Sequence, residues 1–308
     1  MLVAGVDSST QSVKVVIRDA DSGELVASSS KPHPDGTEVD PRAWKEALDA
    51  ALNEVSTHQI NAIAIGGQQH GMVTLNANGE VIRPALLWND TRSSGTAEQL
   101  NKEFPNIAEL TGSQLVASFT ASKVLWVVEN EPENAKKIAA ICLPHDWLSW
   151  KLTGSTDIKD LFTDRSDASG TGYFNPVTNE YELKILTDAL GHSNLKLPKI
   201  ISPNAFGFES EKLRISAGAG DNASGALGVG AKVGDLIISL GTSGTAFAVS
   251  STPTHDPSGE VAGFADATGN YLPLACTLNA AKIFSKTAEL LNISFEQYSE
   301  LALNAEPG

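Results

Sequence analysis

Apolar and polar residues alternate at the start of the chain, which is the pattern of a sheet with one packed face. "MLVAGVD" reads as a buried strand ending at Asp7, and "SVKVVIRD" as a second strand with Val13, Val15 and Ile17 on one side. The polar turn "SSTQ" joins them, and "ELVASSS" forms a third strand after the turn "ADSG". The period then changes. Asp40 and Pro41 predict a helix start, with Asp40 as N-cap and Pro41 at the first helical position. Trp44, Ala47, Leu48, Ala51, Leu52 and Val55 follow at helical spacing. "INAIAI" carries no charge and predicts a central strand in a sheet covered on both faces. "GGQQHG" comes next, then a strand "MVTL" and a turn at Asn78 and Gly79.

From about residue 95 to 200 the pattern mixes helices and loops. "KVLWVVENEPENAKKIAAI" predicts helix at both ends with an interruption at Pro132. "LPHDWLSWKLTG" predicts a further helix stopped by Gly154. "KLRISAGAG" rises as a strand into a glycine run, and "DLIISLGTSGTAFAVS" repeats the opening design of strand, small polar turn and strand. "LNAAKIFSKTAELLNI" predicts the last helix. No short-period repeat or low-complexity segment interrupts the chain.

Composition narrows the partners. The 308 residues suffice for about two domains. A net charge of −15 argues against nucleic acid or an acidic membrane, because both are polyanions. No apolar run is long enough to span a bilayer, and the start lacks the basic region and long apolar core of a secretory signal. Cys142 and Cys276 each sit in an apolar run and are expected to be buried, reduced thiols. A cytoplasmic protein is the default expectation.

The stretch "GAGDNASGALGVG" holds five glycines, three alanines and one acid, Asp221. Asp221 precedes a predicted helix, where free amides and the helix dipole favour an anion. Two readings fit: a carboxylate left open to a substrate, or an N-cap. A third reading takes Gly218, Gly220 and Ala223 as a dinucleotide fingerprint, but the next strand runs into "SLGTSG" with no acid at its tip. The loops "SSTQSVKV" and "LGTSGTAFAV" match in design. Small residues there let backbone amides converge on a phosphate, and hydroxyls add donors. Their separation suggests a duplicated domain gripping one nucleotide. Asp7, at the mouth of the first loop, is placed to hold Mg²⁺. Lys14 on the returning strand is either a phosphate contact or a solvated lysine.

Together the hairpin pair, "GGQQHG", "LLWNDTR" and the glycine run resemble the FGGY family of carbohydrate kinases, in the superfamily of actin, hexokinase and chaperone ATPases. The resemblance covers essentially the whole chain. It implies an α/β, actin-like (ribonuclease H-like) ATPase fold built as a duplicated domain with the second copy incomplete. Residues 1–231 would form the N-terminal kinase domain and 232–308 the start of the C-terminal one. The resemblance implies Asp221 as catalytic base, and Gln69, His70, Trp88 and Asp90 with Asp221 as sugar contacts. It implies Ser9, Thr10, Gln11, Gly241, Thr242, Ser243 and Gly244 as nucleotide contacts. Many relatives carry glycine where this chain has Ser9.

The chemistry that follows from the resemblance is ATP-dependent phosphorylation of D-xylulose to D-xylulose 5-phosphate, with Mg²⁺. Ribulose, glycerol or gluconate as acceptor, or an inactive sugar-binding remnant, are the alternatives. A homodimer is compatible with the resemblance; nucleic acid and membrane are not expected partners.

Overall fold

A computed structural model describes residues 1–241, 243–277 and 279–306. The opening alternation becomes an antiparallel meander of β1 (Leu2–Ser8), β2 (Ser12–Asp19) and β3 (Leu25–Pro32). β4 (Ala62–Gly67) joins β1 in parallel. β5 (Phe206–Glu209) and β6 (Arg214–Ser216) extend the sheet in the order β5-β6-β4-β1-β2-β3, and β7 (Ala219–Gly220) pairs with the end of β4.

Ala4, Val6, Val15, Ile17, Ile63 and Ile65 are buried on one face of this sheet. Two helices cover that face: α1 (Pro41–Glu54) through Trp44 and Leu48, and α4 (Pro144–Thr153) through Trp147 and Trp150. α1 begins as its sequence predicts, with the Asp40 side chain accepting from the Arg42 amide and Pro41 in the first turn. Gly154 ends α4 in the left-handed conformation, at φ 78°.

The other face is open, which corrects the expectation that β4 is covered on both sides. Its alternate residues Ala62, Ala64 and Gly66 are only half-buried, and Gly5, Asp7 and Lys14 beside them are exposed. Residues this small give a strand an uncharged sequence without requiring a second packed layer.

The middle of the chain forms a helical layer from α2 (Ser94–Glu103), α3 (Thr120–Asn130), the short α5 (Arg165–Ala168) and α6 (Leu183–Leu190). α3 stops before Pro132 as expected, and a four-residue helical turn, Pro132–Ala135, follows. The predicted second helix goes no further. Ala140–Cys142 is instead a strand antiparallel to Val73–Leu75, with Lys196 bridged on its other side. Tertiary pairing overrides the local pattern there.

α7 (Asp221–Gly228) leads into a second sheet of β8 (Leu236–Leu240), β9 (Gly244–Ala248), β10 (Ala262–Ala265) and β11 (Tyr271–Thr277). Its order is β8-β9-β11-β10, all antiparallel. Phe247, Phe264, Leu272 and Leu274 on its inner face share one core with Leu115, Phe119 and Ala223. The strand after α7 thus lies in another, antiparallel sheet, so Gly218, Gly220 and Ala223 do not form a dinucleotide-binding βαβ unit.

α8 (Ala281–Leu291) and α9 (Phe295–Asn304) follow. α9 lies beyond the last helix the hydrophobic pattern predicts. Its signal is a capping box in "SFEQ", where Ser294 and Gln297 cap each other reciprocally. Cys142 is buried as expected, but Cys276 is exposed. Ala275 to Thr277 stay paired with β9, and the Cys276 side chain is open because it lines a cavity. No helix among the described residues is long and apolar enough to cross a membrane.

Candidate active site

A cavity of about 570 Å³ opens between the helical layer and the second sheet. Gln69, His70, Trp88, Asp90, Asp221, Gly241 and Ser243 all line it. Asp7, Ser9, Thr10, Gln11 and Gly244 lie outside its wall. Thr242 lies outside the described residues.

The loop after β4 carries Gln69 and His70. His70 has φ 67°, a left-handed conformation that a residue with a Cβ adopts only when its surroundings impose it. Here they do. The His70 carbonyl accepts from Lys123 Nζ at 3.0 Å and from Thr120 Oγ1 at 3.2 Å, both on α3. The ring packs between Phe119 and Phe264, with centroids 4.9 and 5.5 Å away.

His70 Nδ1 lies 2.6 Å from the Gly170 carbonyl. A carbonyl only accepts, so Nδ1 holds the proton and Nε2 is left as an acceptor. Burial holds the His70 pKa down at about 4, against the Gly170 hydrogen bond, so the ring is neutral at physiological pH. Lys123 is fully buried, and burial lowers its pKa to about 7. It also donates to the Ser118 carbonyl. Lys123 stands at the head of the apolar run "VLWVV", but the backbone carbonyls it braces carry no mark in the sequence.

The glycine run explains itself by close approach. A Cβ on Gly218, which has φ 74°, would lie 2.4 Å from the Ile65 carbonyl oxygen. One on Gly220 would lie 2.8 Å from Gln69 Cγ. These glycines let the β7 backbone press against β4 and its loop, which brings Asp221 beside Gln69. Ser166 of α5 ties the two segments: its carbonyl accepts from Gln69 Nε2 at 3.0 Å, and its Oγ accepts from the Gly220 amide at 3.1 Å.

The N-cap of α7 is Gly220, so Asp221 does not hold the capping position. Asp221 Oδ1 accepts from the Asn222 amide at 2.7 Å and from Asn222 Nδ2 at 3.0 Å. Asn222 in turn accepts from Thr245 Oγ1 of β9 at 3.2 Å. Among the described residues no donor reaches Oδ2. Asp221 is open to solvent through the cavity, yet sits deep between its walls. That removal from bulk water raises its pKa to about 6, opposed by the Asn222 amide and reinforced by the charge of Asp7. The helix start alone would predict a shift the other way, and desolvation outweighs it.

Asp90 is more committed than the sequence implies. Its Oδ2 accepts from Thr37 Oγ1 at 2.7 Å, and its Oδ1 from Arg92 Nε and N at 2.8 and 3.0 Å. Burial opposes these bonds, but they hold its pKa below the usual carboxylate range. Trp88 donates from Nε1 to Thr10 Oγ1 at 2.8 Å, which links the cavity wall to the first loop. Asn89, beside it in the "LLWNDTR" segment, has a buried Oδ1 with no partner among the described residues.

In the first loop the Ser9 amide and hydroxyl both donate to the Ser12 carbonyl, at 3.0 and 3.1 Å, so this hydroxyl closes the hairpin. The Gln11 side chain is exposed. In the second loop the Gly241 amide donates to the Ser243 carbonyl, and the Gly241 carbonyl accepts from the Ala281 amide at the start of α8. A Cβ on Gly244 would lie 3.0 Å from Ala280 Cβ, so this glycine is explained by packing. Asp7 faces Lys14 across the β1–β2 pair. Desolvation raises the Asp7 pKa, against the pull of Lys14 and His33. Among the described residues its carboxylate has no hydrogen-bond or ion-pair partner close enough to engage it.

Residues 2–228 match the model of the FGGY family of carbohydrate kinases, N-terminal domain. The chain belongs to this family. It is 45% identical over 313 residues to the xylulose kinase of Streptomyces coelicolor, a match covering 96% of this chain and 64% of that protein. To the xylulose kinase of Escherichia coli it is 33% identical over 312 residues, covering 94% of this chain and 63% of the relative. The chain therefore spans less than two thirds of the length of these FGGY relatives.

The crystal structure of xylulose kinase from Bifidobacterium adolescentis superimposes with a TM-score of 0.92 at 42% identity, covering all of this chain and 71% of that one. Plasmodium falciparum glycerol kinase with ADP, at 22% identity, shares the fold with a TM-score of 0.82. The FGGY chain thus has the actin-like ATPase fold that the sequence predicts.

Proposed function

We propose that this chain carries the sugar site and the catalytic base of a kinase that transfers the terminal phosphoryl group of ATP to D-xylulose, yielding D-xylulose 5-phosphate and ADP. The observation that carries the reading is Asp221, whose Oδ2 has no partner among the described residues and faces a cavity also lined by the neutral His70. A xylulose kinase at 45% identity supports the choice of sugar.

His70 Nε2 accepts a sugar hydroxyl, and Gln69 contributes its amide beside it. Trp88 covers an apolar sugar face, while Asp90 braces that wall more than it binds. Asp221 takes the proton of the attacking hydroxyl as the bond to phosphorus forms, and the phosphoryl group leaves ADP behind. Proton transfer to a carboxylate with a pKa near 6 is better matched than to one near 4. The amides of Thr10 and Gln11 in the first loop and of Ser243 and Gly244 in the second receive the phosphates, while the Ser9 and Gly241 amides stay engaged within their own loops.

The open carboxylate of Asp7 fits Mg²⁺, which takes one or two carboxylates and keeps several waters. Bound there, the ion would neutralise phosphate charge. A cytoplasmic setting, where ATP is the donor, belongs to the same reading.

The test is ADP release by the 308-residue chain over D-xylulose, D-ribulose, glycerol and gluconate, with D-xylulose binding followed in parallel by calorimetry. D-xylulose is expected to be preferred. His70→Ala should weaken its use by about tenfold or more, the loss of a hydrogen bond in a desolvated site. Preference for glycerol or gluconate would overturn the substrate, and unchanged sugar kinetics in His70→Ala would remove His70 from the site.

A further inference from the structure

His145, Asp146 and Asp167 form a fully buried cluster that the reaction above does not use. Their ligand atoms lie within 4.8 Å of one another, the spacing of a metal site. The hydrogen bonding of the ring rules that use out. His145 Nε2 is 3.0 Å from the Ala217 carbonyl, and Nδ1 is 2.5 Å from Asp167 Oδ2 and 3.1 Å from Asp146 Oδ1. The carbonyl only accepts, so Nε2 carries a proton and donates. A proton also lies between Nδ1 and Asp167. Neither ring nitrogen is left with a lone pair for a cation.

Ala217 immediately precedes Gly218, and the next strand ends at Gly220, next to Asp221. α5 therefore holds this segment at two points. Ser166 accepts from the Gly220 amide directly, and Asp167 reaches the Ala217 carbonyl through the His145 ring. Asp167 is itself fixed, since its amide donates to the Asp164 carboxylate at 3.0 Å in the cap of α5. The packing leaves the ring no freedom: a Cβ on Gly67 would lie 2.7 Å from His145 Cβ, and one on Gly218 would lie 2.7 Å from Cδ2.

Burial works against a charged ring, but Asp146 and Asp167 outweigh it and hold the His145 pKa above the ordinary imidazole value. A buried ionic group is a weak source of stability. Its geometry here is aimed at one backbone carbonyl.

We propose that His145, backed by Asp167, is a positioning residue that fixes the backbone ahead of Asp221 and so aims the carboxylate at the reacting hydroxyl. This rests on the reading of Asp221 as the base. Its structural half stands apart from that reading and is tested separately.

The first measurement uses the unmodified chain, with ¹⁵N-histidine labelling and long-range ¹H–¹⁵N correlation. The account expects a slowly exchanging proton on His145 Nε2 at neutral pH. A bare Nε2 would overturn it. The second compares His145→Leu with His145→Gln, whose amide can still donate to the Ala217 carbonyl. In His145→Leu, deuterium exchange over residues 217–222 should rise by about tenfold or more while β1 and β2 stay protected. His145→Gln should restore most of that protection.

For the reaction, kcat should fall by about tenfold to a hundredfold in His145→Leu with KM for D-xylulose nearly unchanged, as expected of a misplaced catalytic group. Partial rescue is expected in His145→Gln. Equal loss in both variants, or exchange rising evenly over the whole domain, would reduce His145 to a packing residue. Failure of the wild-type chain to phosphorylate any sugar would count against the proposed function, while the labelling and exchange results would still decide the clamp.

Discussion

The two sheets of this molecule are written in the same grammar of strand, small polar turn and strand, yet they end in different environments. In the first, Val13, Val15 and Ile17 are fully buried beneath α1 and α4. In the second, Leu236, Ile238 and Leu240 of β8 are 65%, 63% and 65% exposed. Leu227, Val229, Val233 and Leu290 are exposed as well. The inner face of the second sheet is well packed, through Phe247, Phe264 and Leu274. An apolar alternation therefore states which face of a strand wants cover, and a neighbouring layer decides whether it gets it. Large apolar side chains left this exposed mark a surface suited to contact with another body.

The contrast is breakable by substitution. Trp44→Ala, under the first sheet, should cost about 3–5 kcal/mol in a urea titration, the usual range for emptying a large buried aromatic site. A loss below 1 kcal/mol would mean that the first sheet is no better supported than the second.

A smaller effect should come from pH. The His70 pKa of about 4 lies below its unfolded value of about 6.5, so the unfolded chain takes up this proton first as pH falls. The His70 contribution is thus complete above about pH 6.5 and is lost progressively down to about pH 4, by roughly 2–3 kcal/mol. Wild type minus His70→Gln should show that acid-limb loss in denaturation series at several pH values. A flat difference would mean that His70 is not desolvated. Ile238→Ser, on the uncovered face, should change stability by only about 0.5 kcal/mol while reducing aggregation. A large destabilisation there would show that β8 is covered in solution.

Much of this fold is legible because local and tertiary preferences agree. The α1 cap at Asp40, the stop at Gly154 and both hairpins are of that kind. Ala140–Cys142 was not legible, because its strand exists only through pairing with Val73–Leu75. The openness of β4 on one face was hidden because alanine and glycine read as apolar whether or not they are covered.

At the site, the motifs marked Gln69, His70 and Asp221, and the cavity brings these three together. The sequence did not show what fixes them. Lys123, Ser166 and His145 act across about 50 to 100 residues of chain, through backbone groups that carry no sequence signature. The Asp90 carboxylate could be recognised as acidic but not as already engaged by Thr37 and Arg92.

The central claim is that Asp221 accepts the proton of the sugar hydroxyl. Asp221→Asn keeps the shape of the side chain, and its Oδ1 can still accept from the Asn222 amide. It cannot take a proton. The direct measurement is kcat for D-xylulose in this variant, beside its melting temperature and its sugar affinity. The account predicts that kcat falls by about 10²–10⁴ while the other two hold, the typical loss of a general base. Turnover at the wild-type rate would contradict it.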